Sequence, residues 1–167
     1  MILICTASDG ANLKLCRRAE LFLKNQGVDT CFVDLTAAEL PLYTSRVTNT
    51  PNGALISALG ESFRRAEGFF IAAPEYNGSI PPTLSNTIAW LSTETEDFRA
   101  LFNNKPAVIA THSGGGGQKV LTSMRIQLSH LGVNVLGRTL ASKGDGEVKD
   151  TSLNDVLNQL TRLSQLK

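Results

Sequence analysis

Five short apolar runs, each separated from the next by one stretch of helical period, restrict this 167-residue chain to very few architectures. The runs cover residues 2–7, 31–35, 68–73, 107–111 and 133–140. Unbroken apolar runs of this length suit strands buried on both faces. Between them, apolar residues recur every three or four positions. Leu15, Cys16, Ala19, Phe22 and Leu23 make one such face, and Leu55, Ile56, Leu59 and Phe63 a second. Leu84, Ile88 and Leu91 make a third, and Val120, Leu121, Met124, Leu128 and Leu131 a fourth. The last is the cleanest stripe: Leu153, Val156, Leu157, Leu160, Leu163 and Leu166. Gly27, Gly68 and Gly132 stand where helices end. Ser152, with Asp155 three residues on, reads as the start of the final helix.

Strands alternating with helices imply a parallel sheet covered on both faces. The expected fold class is α/β: a three-layer, flavodoxin-like fold with a five-stranded parallel sheet in the order 2-1-3-4-5. No linker or composition shift divides the chain, so residues 1–167 are expected to form a single domain. In such a sheet, ligands sit beyond the carboxyl ends of the strands where the order reverses, between strands one and three. Three unusual loops converge there.

The most distinctive is Pro74-Glu75-Tyr76-Asn77-Gly78-Ser79-Ile80-Pro81-Pro82. Its prolines fix φ and remove backbone donors, and the residues before them are pushed to extended geometry. The loop is stiff and offers an aromatic ring, an amide and a carboxylate side by side. Ser8-Asp9-Gly10-Ala11-Asn12 precedes the first helix, where free N–H groups and the helix dipole favour an anion. Ser8, Asn12 and the backbone around Gly10 suit a monophosphate, and an ordinary helix cap by Ser8 explains the same residues equally well. Asp9 repels a phosphate unless it points away. The third loop, His112-Ser113-Gly114-Gly115-Gly116-Gly117-Gln118, carries four consecutive glycines. They allow close backbone approach to a ligand, at an entropic cost that a simple solvent turn does not require. Residues 36–52 form a further long loop, a length often associated with function or mobility.

Several classes are excluded. No G-x-G-x-x-G follows the first strand, and no G-x-x-x-x-G-K-[ST] occurs. The His112-Ser113-Gly114-Gly115 run resembles an esterase oxyanion loop, but the chain has no G-x-S-x-G nucleophile. A net charge of +1 calls for neither nucleic acid nor an anionic membrane as partner. No apolar run reaches the length of a membrane span. Cys5, Cys16 and Cys31 are odd in number, lack C-x-x-C spacing, and are expected to be buried free thiols of a cytoplasmic protein. His112 and His130 stand apart with no ligand-like cluster, so no metal is expected.

The chain resembles the NADPH-dependent FMN reductase family of flavodoxin-like quinone, chromate and azo-dye reductases. The resemblance rests on P-E-Y-N-x-S-x-P, met at Pro74, Glu75, Tyr76, Asn77, Ser79 and Pro81, and on L-x-N-x-I-x-W, met at Leu84, Asn86, Ile88 and Trp90. It extends over essentially the whole chain. It implies that Pro74, Glu75, Tyr76 and Asn77 contact the isoalloxazine ring and ribityl chain of FMN. It implies that Ser113, Gly114, Gly115 and Gly116 frame the ring's pyrimidine edge, and that Ser8, Asn12 and the backbone at Gly10 hold the phosphate. The first loop departs from the family's usual pattern, being shorter and without an arginine. The implied activity is hydride transfer from NADPH or NADH through the flavin to FMN, a quinone or a similar small acceptor. No obligatory catalytic acid or base is implied, and Tyr76 shapes the substrate face. The rival reading is a flavodoxin-type electron carrier or a flavin-binding module without turnover; a carrier is typically strongly acidic, which this chain is not. The resemblance also implies a homodimer or homotetramer with the Trp90 helix near an interface. Trp90 lies off the main stripe of its helix, so a core role is equally open.

Overall fold

A computed structural model describes residues 1–46 and 53–166. In chain order the elements are β1 (Ile2–Thr6), α1 (Ala11–Asn25), β2 (Thr30–Asp34), α2 (Gly53–Arg65), β3 (Gly68–Ala72) and α3 (Pro82–Leu91). A 3-10 turn (Phe98–Leu101) then leads to β4 (Pro106–His112), α4 (Gln118–His130), β5 (Asn134–Val135), β6 (Leu140–Ser142) and α5 (Asp150–Ser164). The strands run parallel in the order β2-β1-β3-β4-β5. Each βαβ crossover needs a helix to bring the chain back to the same sheet edge, and the apolar stripes supply them. Helices on both faces are flavodoxin-like in arrangement.

Residues alternate between two apolar layers, as the pleat requires. Leu3, Cys5, Phe69, Ile71 and Ile109 face Leu59, Phe63, Leu84, Ile88, Val120 and Met124. Ile2, Ile4, Phe70 and Val108 face Leu15, Cys16, Leu23, Val156 and Leu160. The central strands β1 and β3 are wholly buried, while the edge strand β2 is half-buried along its length. That placement leaves Cys31 partly exposed, unlike Cys5 and Cys16; all three are free. Burial pushes the Cys16 thiol up to about 12 and raises Cys5 as well.

Three boundaries differ from the sequence expectation. The fifth strand splits in two. Asn134 and Val135 pair with Pro106 and Ala107, while Leu140 to Ser142 pair with Ala110 to His112. The guanidinium of Arg125 donates to the carbonyls of Val135, Leu136 and Gly137, where the strand breaks. β6 consequently extends the sheet at the carboxyl end of β4, beside the ligand edge. The final helix begins two residues before Ser152, with Lys149 in extended geometry as its cap. Arg138 donates to Ser152 Oγ and to Asp155, so the expected capping pair is engaged from outside the helix. α3 starts at Pro82, one residue early, because proline suits the first helical position. Asn52, expected to open α2, lies outside the described residues, and α2 begins at Gly53.

Trp90 proves to be a core residue with a polar task. It is buried, and its indole N–H donates to Pro41 O at 2.6 Å. Asn86, one turn earlier, donates to Leu40 O and Pro41 O and accepts from Tyr43 N–H. Tyr43 meets the Trp90 ring edge-on. Together they strap the segment after β2 onto α3.

Candidate functional site

The first loop is short because β1 passes into α1 through four residues, Ala7 to Gly10. Thr6 Oγ1 donates to Ser8 O at 2.6 Å, which folds the turn back on itself. Asn12 then brackets it. Its Nδ2 donates to Ser8 Oγ at 3.1 Å and to His112 O at 3.2 Å, and its Oδ1 accepts from His112 N–H at 2.7 Å. One buried amide thus ties the start of α1 to the end of β4, across the intervening β3. Both amide hydrogens are engaged, so Asn12, expected at the phosphate, braces the loop. Ser8 is also buried and does not cap the helix. The residue at the cap is Gly10, at φ 69°, and no side chain bonds to the first-turn amides. Those amides are open to an anion. Asp9 is exposed beside them.

The second loop contains a hairpin whose local signal is the Asn77-Gly78 pair. Tyr76 N–H donates to Ser79 O at 3.1 Å and Ser79 N–H returns to Tyr76 O at 3.0 Å. Asn77 and Gly78 both take positive φ, 51° and 75°. Two positive φ values in a two-residue turn are the type I′ arrangement that Asn-Gly favours. Tyr76 is 51% exposed at the base of this turn, Asn77 is exposed at its tip, and Pro74 is buried behind it. Glu75 looks elsewhere. Its Oε2 accepts from Val120 N–H at 3.2 Å, and its Oε1 lies 3.3 Å from where a side chain on Gly115 would begin. A carboxylate at the N-terminus of α4 complements the dipole there. Glu75, expected against the ring, therefore also serves as the clasp between the second and third loops.

In the third loop Ser113 N–H donates to Ser142 O at 3.1 Å, which fixes the loop to β6. Ser113 Oγ is buried and has no hydrogen-bond partner. Gly114 and Gly116 have nothing within 4 Å in the direction a Cβ would take, whereas at Gly117 a Cβ would sit 2.2 Å from Thr111 Cγ2. Gly116 and Gly117 also hold positive φ, 86° and 75°. The run is thus divided: Gly117 is needed for packing, while Gly114 and Gly116 leave open space. His112, which the sequence did not single out, lies at the junction. Besides its backbone bonds to Asn12, its Nδ1 is 3.0 Å from Ser142 Oγ. Its only sequence signal is its place between a buried strand and a glycine run.

A cavity of about 190 Å³ opens next to the first loop, lined by Lys14, Arg18, His112, Ser142 and residues 144–148. A cleft of about 800 Å³ lies at the opposite end of the sheet, among Met1, Gln26, Asp29, Glu67 and Arg162, and holds none of these loops. Among the described residues, no group of three potential metal-ligating side chains occurs and no helix is long and apolar enough to cross a membrane.

The model of the NADPH-dependent FMN reductases matches residues 1–147. The chain belongs to that family. This reductase is 35% identical over 141 residues to the quinone reductase of Escherichia coli strain K12, across 77% of this chain and 73% of that one. It is 27% identical over 136 residues to the NADPH azoreductase of Bacillus sp. strain OY1-2, across 76% and 72%. Among solved structures, FerB of Paracoccus denitrificans, a flavoenzyme NAD(P)H:(acceptor) oxidoreductase, superposes with a TM-score of 0.76 at 20% identity, covering 98% of this chain and 96% of that one. An archaeal flavodoxin gives 0.65 at 9% identity and shares the fold alone. The protein is an NAD(P)H-dependent flavin oxidoreductase that uses FMN.

The residues present fit that flavin on the ring side. An unpartnered buried hydroxyl costs about 1–3 kcal/mol, and Ser113 Oγ is one beside two glycines that leave space for a flat ligand. At the first loop, Thr6 and Asn12 donate internally, while the first-turn amides and the hydroxyl hydrogen of Ser8, whose Oγ only accepts from Asn12, are uncommitted and fit an anion.

Proposed function

We propose that FMN lies across the three loops, with its ring between the Tyr76–Ser79 hairpin and the glycine run and its phosphate toward the first turn of α1. The observation that carries this reading is the orphaned Ser113 hydroxyl beside the open faces of Gly114 and Gly116. Ser113 Oγ and the N–H groups of Gly114 and Gly115 meet the polar edge of the ring, with Gly116, whose N–H donates to Ser113 O, closing the turn beside it. They stabilise negative charge that develops there, because fixed donors need no reorganisation. Pro74 and Asn77 hold the ring's other side, and Glu75 keeps the two loops at a constant spacing. Ser8 and the amides around Gly10 face the phosphate.

Bound FMN would supply the redox chemistry of hydride transfer between NADPH or NADH and an acceptor. The protein needs no nucleophile for this. Tyr76, half-exposed at the hairpin, forms the wall against which nicotinamide and acceptor take turns. Quinones and azo compounds are the proposed acceptor classes, following the relatives. We place the enzyme in the cytoplasm, a reading supported by its three free thiols, two of them buried, and as a homodimer or homotetramer. Exposed Leu42 and Tyr43 beside the Trp90 helix support association.

The test is to mix the protein with NADPH or NADH and a quinone, with and without FMN, and follow nicotinamide absorbance. FMN-dependent oxidation is expected. Its absence with every donor and acceptor tried would remove the enzymatic reading, and size-exclusion chromatography settles the assembly.

A further inference from the structure

α4 opens with a cation in a place that disfavours one. Lys119 is the second residue of the helix, where the positive end of the helix dipole opposes its charge. Its side chain is exposed and extends along the second loop: Cδ lies 3.2 Å and Nζ 3.8 Å from where a side chain on Gly78 would begin. The lysine thus reaches from α4 to the tip of the Tyr76–Ser79 hairpin, at the rim of the gap between hairpin and glycine run. The same gap holds the unpartnered Ser113 hydroxyl and the open faces of Gly114 and Gly116. Glu75, the carboxylate at this junction, accepts from Val120 N–H instead. Other helix cations are paired: Arg17 and Lys24 with Glu20, Arg64 with Glu61. Among the described residues Lys119 has no ion pair. A residue that breaks a local rule with no local compensation is expected at a functional site.

We infer that Lys119 docks an anionic substituent of the acceptor, so that this reductase favours aromatic acceptors carrying a sulfonate or carboxylate over neutral ones with the same ring. The inference rests on the flavin-binding reading and adds the charge class of the molecule that is reduced. Tyr76 and Gly78 stand two residues apart on one hairpin. A flat acceptor resting against the half-exposed Tyr76 ring therefore keeps its peripheral groups within reach of an ammonium at the hairpin tip. A lysine ammonium is a point charge on a flexible stem, with three donors and no planar preference. It can follow a charged group to several positions around the acceptor ring. Lys119 holds the acceptor and moves no proton, so its signature lies in KM rather than in kcat.

The experiment compares wild type, Lys119→Met and Lys119→Arg, each saturated with FMN, on naphthoquinone sulfonate and on unsubstituted naphthoquinone. Lys119→Met should lower the sulfonate-to-neutral ratio of kcat/KM by about two- to fivefold through KM, the size of one exposed charge pair. Lys119→Arg should keep the ratio, and the loss should shrink as salt rises. Binding without turnover is read by titrating naphthalene sulfonate, which accepts no hydride, against the flavin absorbance of the oxidised holoenzyme. Its dissociation constant should rise by the same factor in Lys119→Met. Lys24→Met removes one charge from the last turn of α1, at the other end of the sheet, and should leave the ratio in place. A ratio unmoved in Lys119→Met, or moved equally in Lys24→Met, overturns the inference. So does an effect of Lys119→Met confined to NADPH over NADH, which would give the lysine to the donor. Loss of FMN-dependent turnover in wild type itself would instead sink the flavin-binding reading.

Discussion

The loops proposed for the flavin ring and the loop proposed for its phosphate are built by opposite strategies. Around the ring, side chains are aimed outward or left without partners: Tyr76 is half-exposed, Ser113 Oγ is an orphan, and Gly114 and Gly116 face open space. At the first loop, Thr6 and Asn12 commit their hydrogens to holding the turn, and what remains is the Ser8 hydroxyl, which only accepts from Asn12, the backbone amides and the exposed Asp9. A site can thus be rigid in two ways. It can store unsatisfied groups for a ligand, or it can satisfy them at once and leave the ligand less to hold.

The sharpest way to break the comparison is through Gly117. A Cβ there collides with Thr111 at 2.2 Å, and the residue sits at φ 75°. Gly117→Ala should cost about 2–4 kcal/mol in urea denaturation and distort the ring side first. Asn12→Ala comes next. It strips three hydrogen bonds from buried or half-buried partners, and a loss of about 2 kcal/mol is expected, with weaker binding of every flavin because the brace served both sides. Should Asn12→Ala weaken FMN and leave riboflavin unchanged, Asn12 contacts phosphate after all. Tyr76→Ala should leave stability near wild type and lower flavin affinity or turnover by about tenfold, or about 1.4 kcal/mol. Asp9→Ala should weaken neither, and a greater loss from Asp9→Ala than from Tyr76→Ala would reverse the assignment of the two sides.

Lys105 offers a control at the other end of the sheet. Its ammonium donates to the carbonyls of Phe63, Arg64 and Leu101, and burial together with the nearby Arg64 charge lowers its pKa to about 8. In the unfolded chain it returns to about 10.4. Between those values the unfolded state binds more protons, so stability rises with pH across that window and the gain is lost as pH falls toward 8. Urea midpoints for wild type should climb through this range relative to Lys105→Met, while flavin affinity stays equal in the two proteins. A matching pH slope in both would show that Lys105 does not carry the effect.

Most of the fold was legible because strand and helix periods are local properties, and the three convergent loops followed from strand order. The misses share one cause, a partner distant in sequence. Arg125 meets the carbonyls where the fifth strand breaks, and Arg138 takes Ser152 Oγ at the start of α5. Asn12 and Glu75 illustrate the same limit inside the site. An amide or a carboxylate in a loop suits a ligand and a neighbouring backbone equally well, and only tertiary structure shows that His112 and Val120 take them. The Asn77-Gly78 hairpin is a miss of another kind: the loop was expected only to be stiff, although the signal for the turn is entirely local.

The strap on α3 has an optical consequence. Trp90 is the single tryptophan of the chain, and its indole is held between Pro41 O and the edge of Tyr43. Its emission therefore reports on the seating of residues 41–43 as well as on the core. Release of that segment would let water reach the ring and shift its fluorescence to the red while the sheet stays intact. The protein carries its own dye where the connection after β2 meets α3.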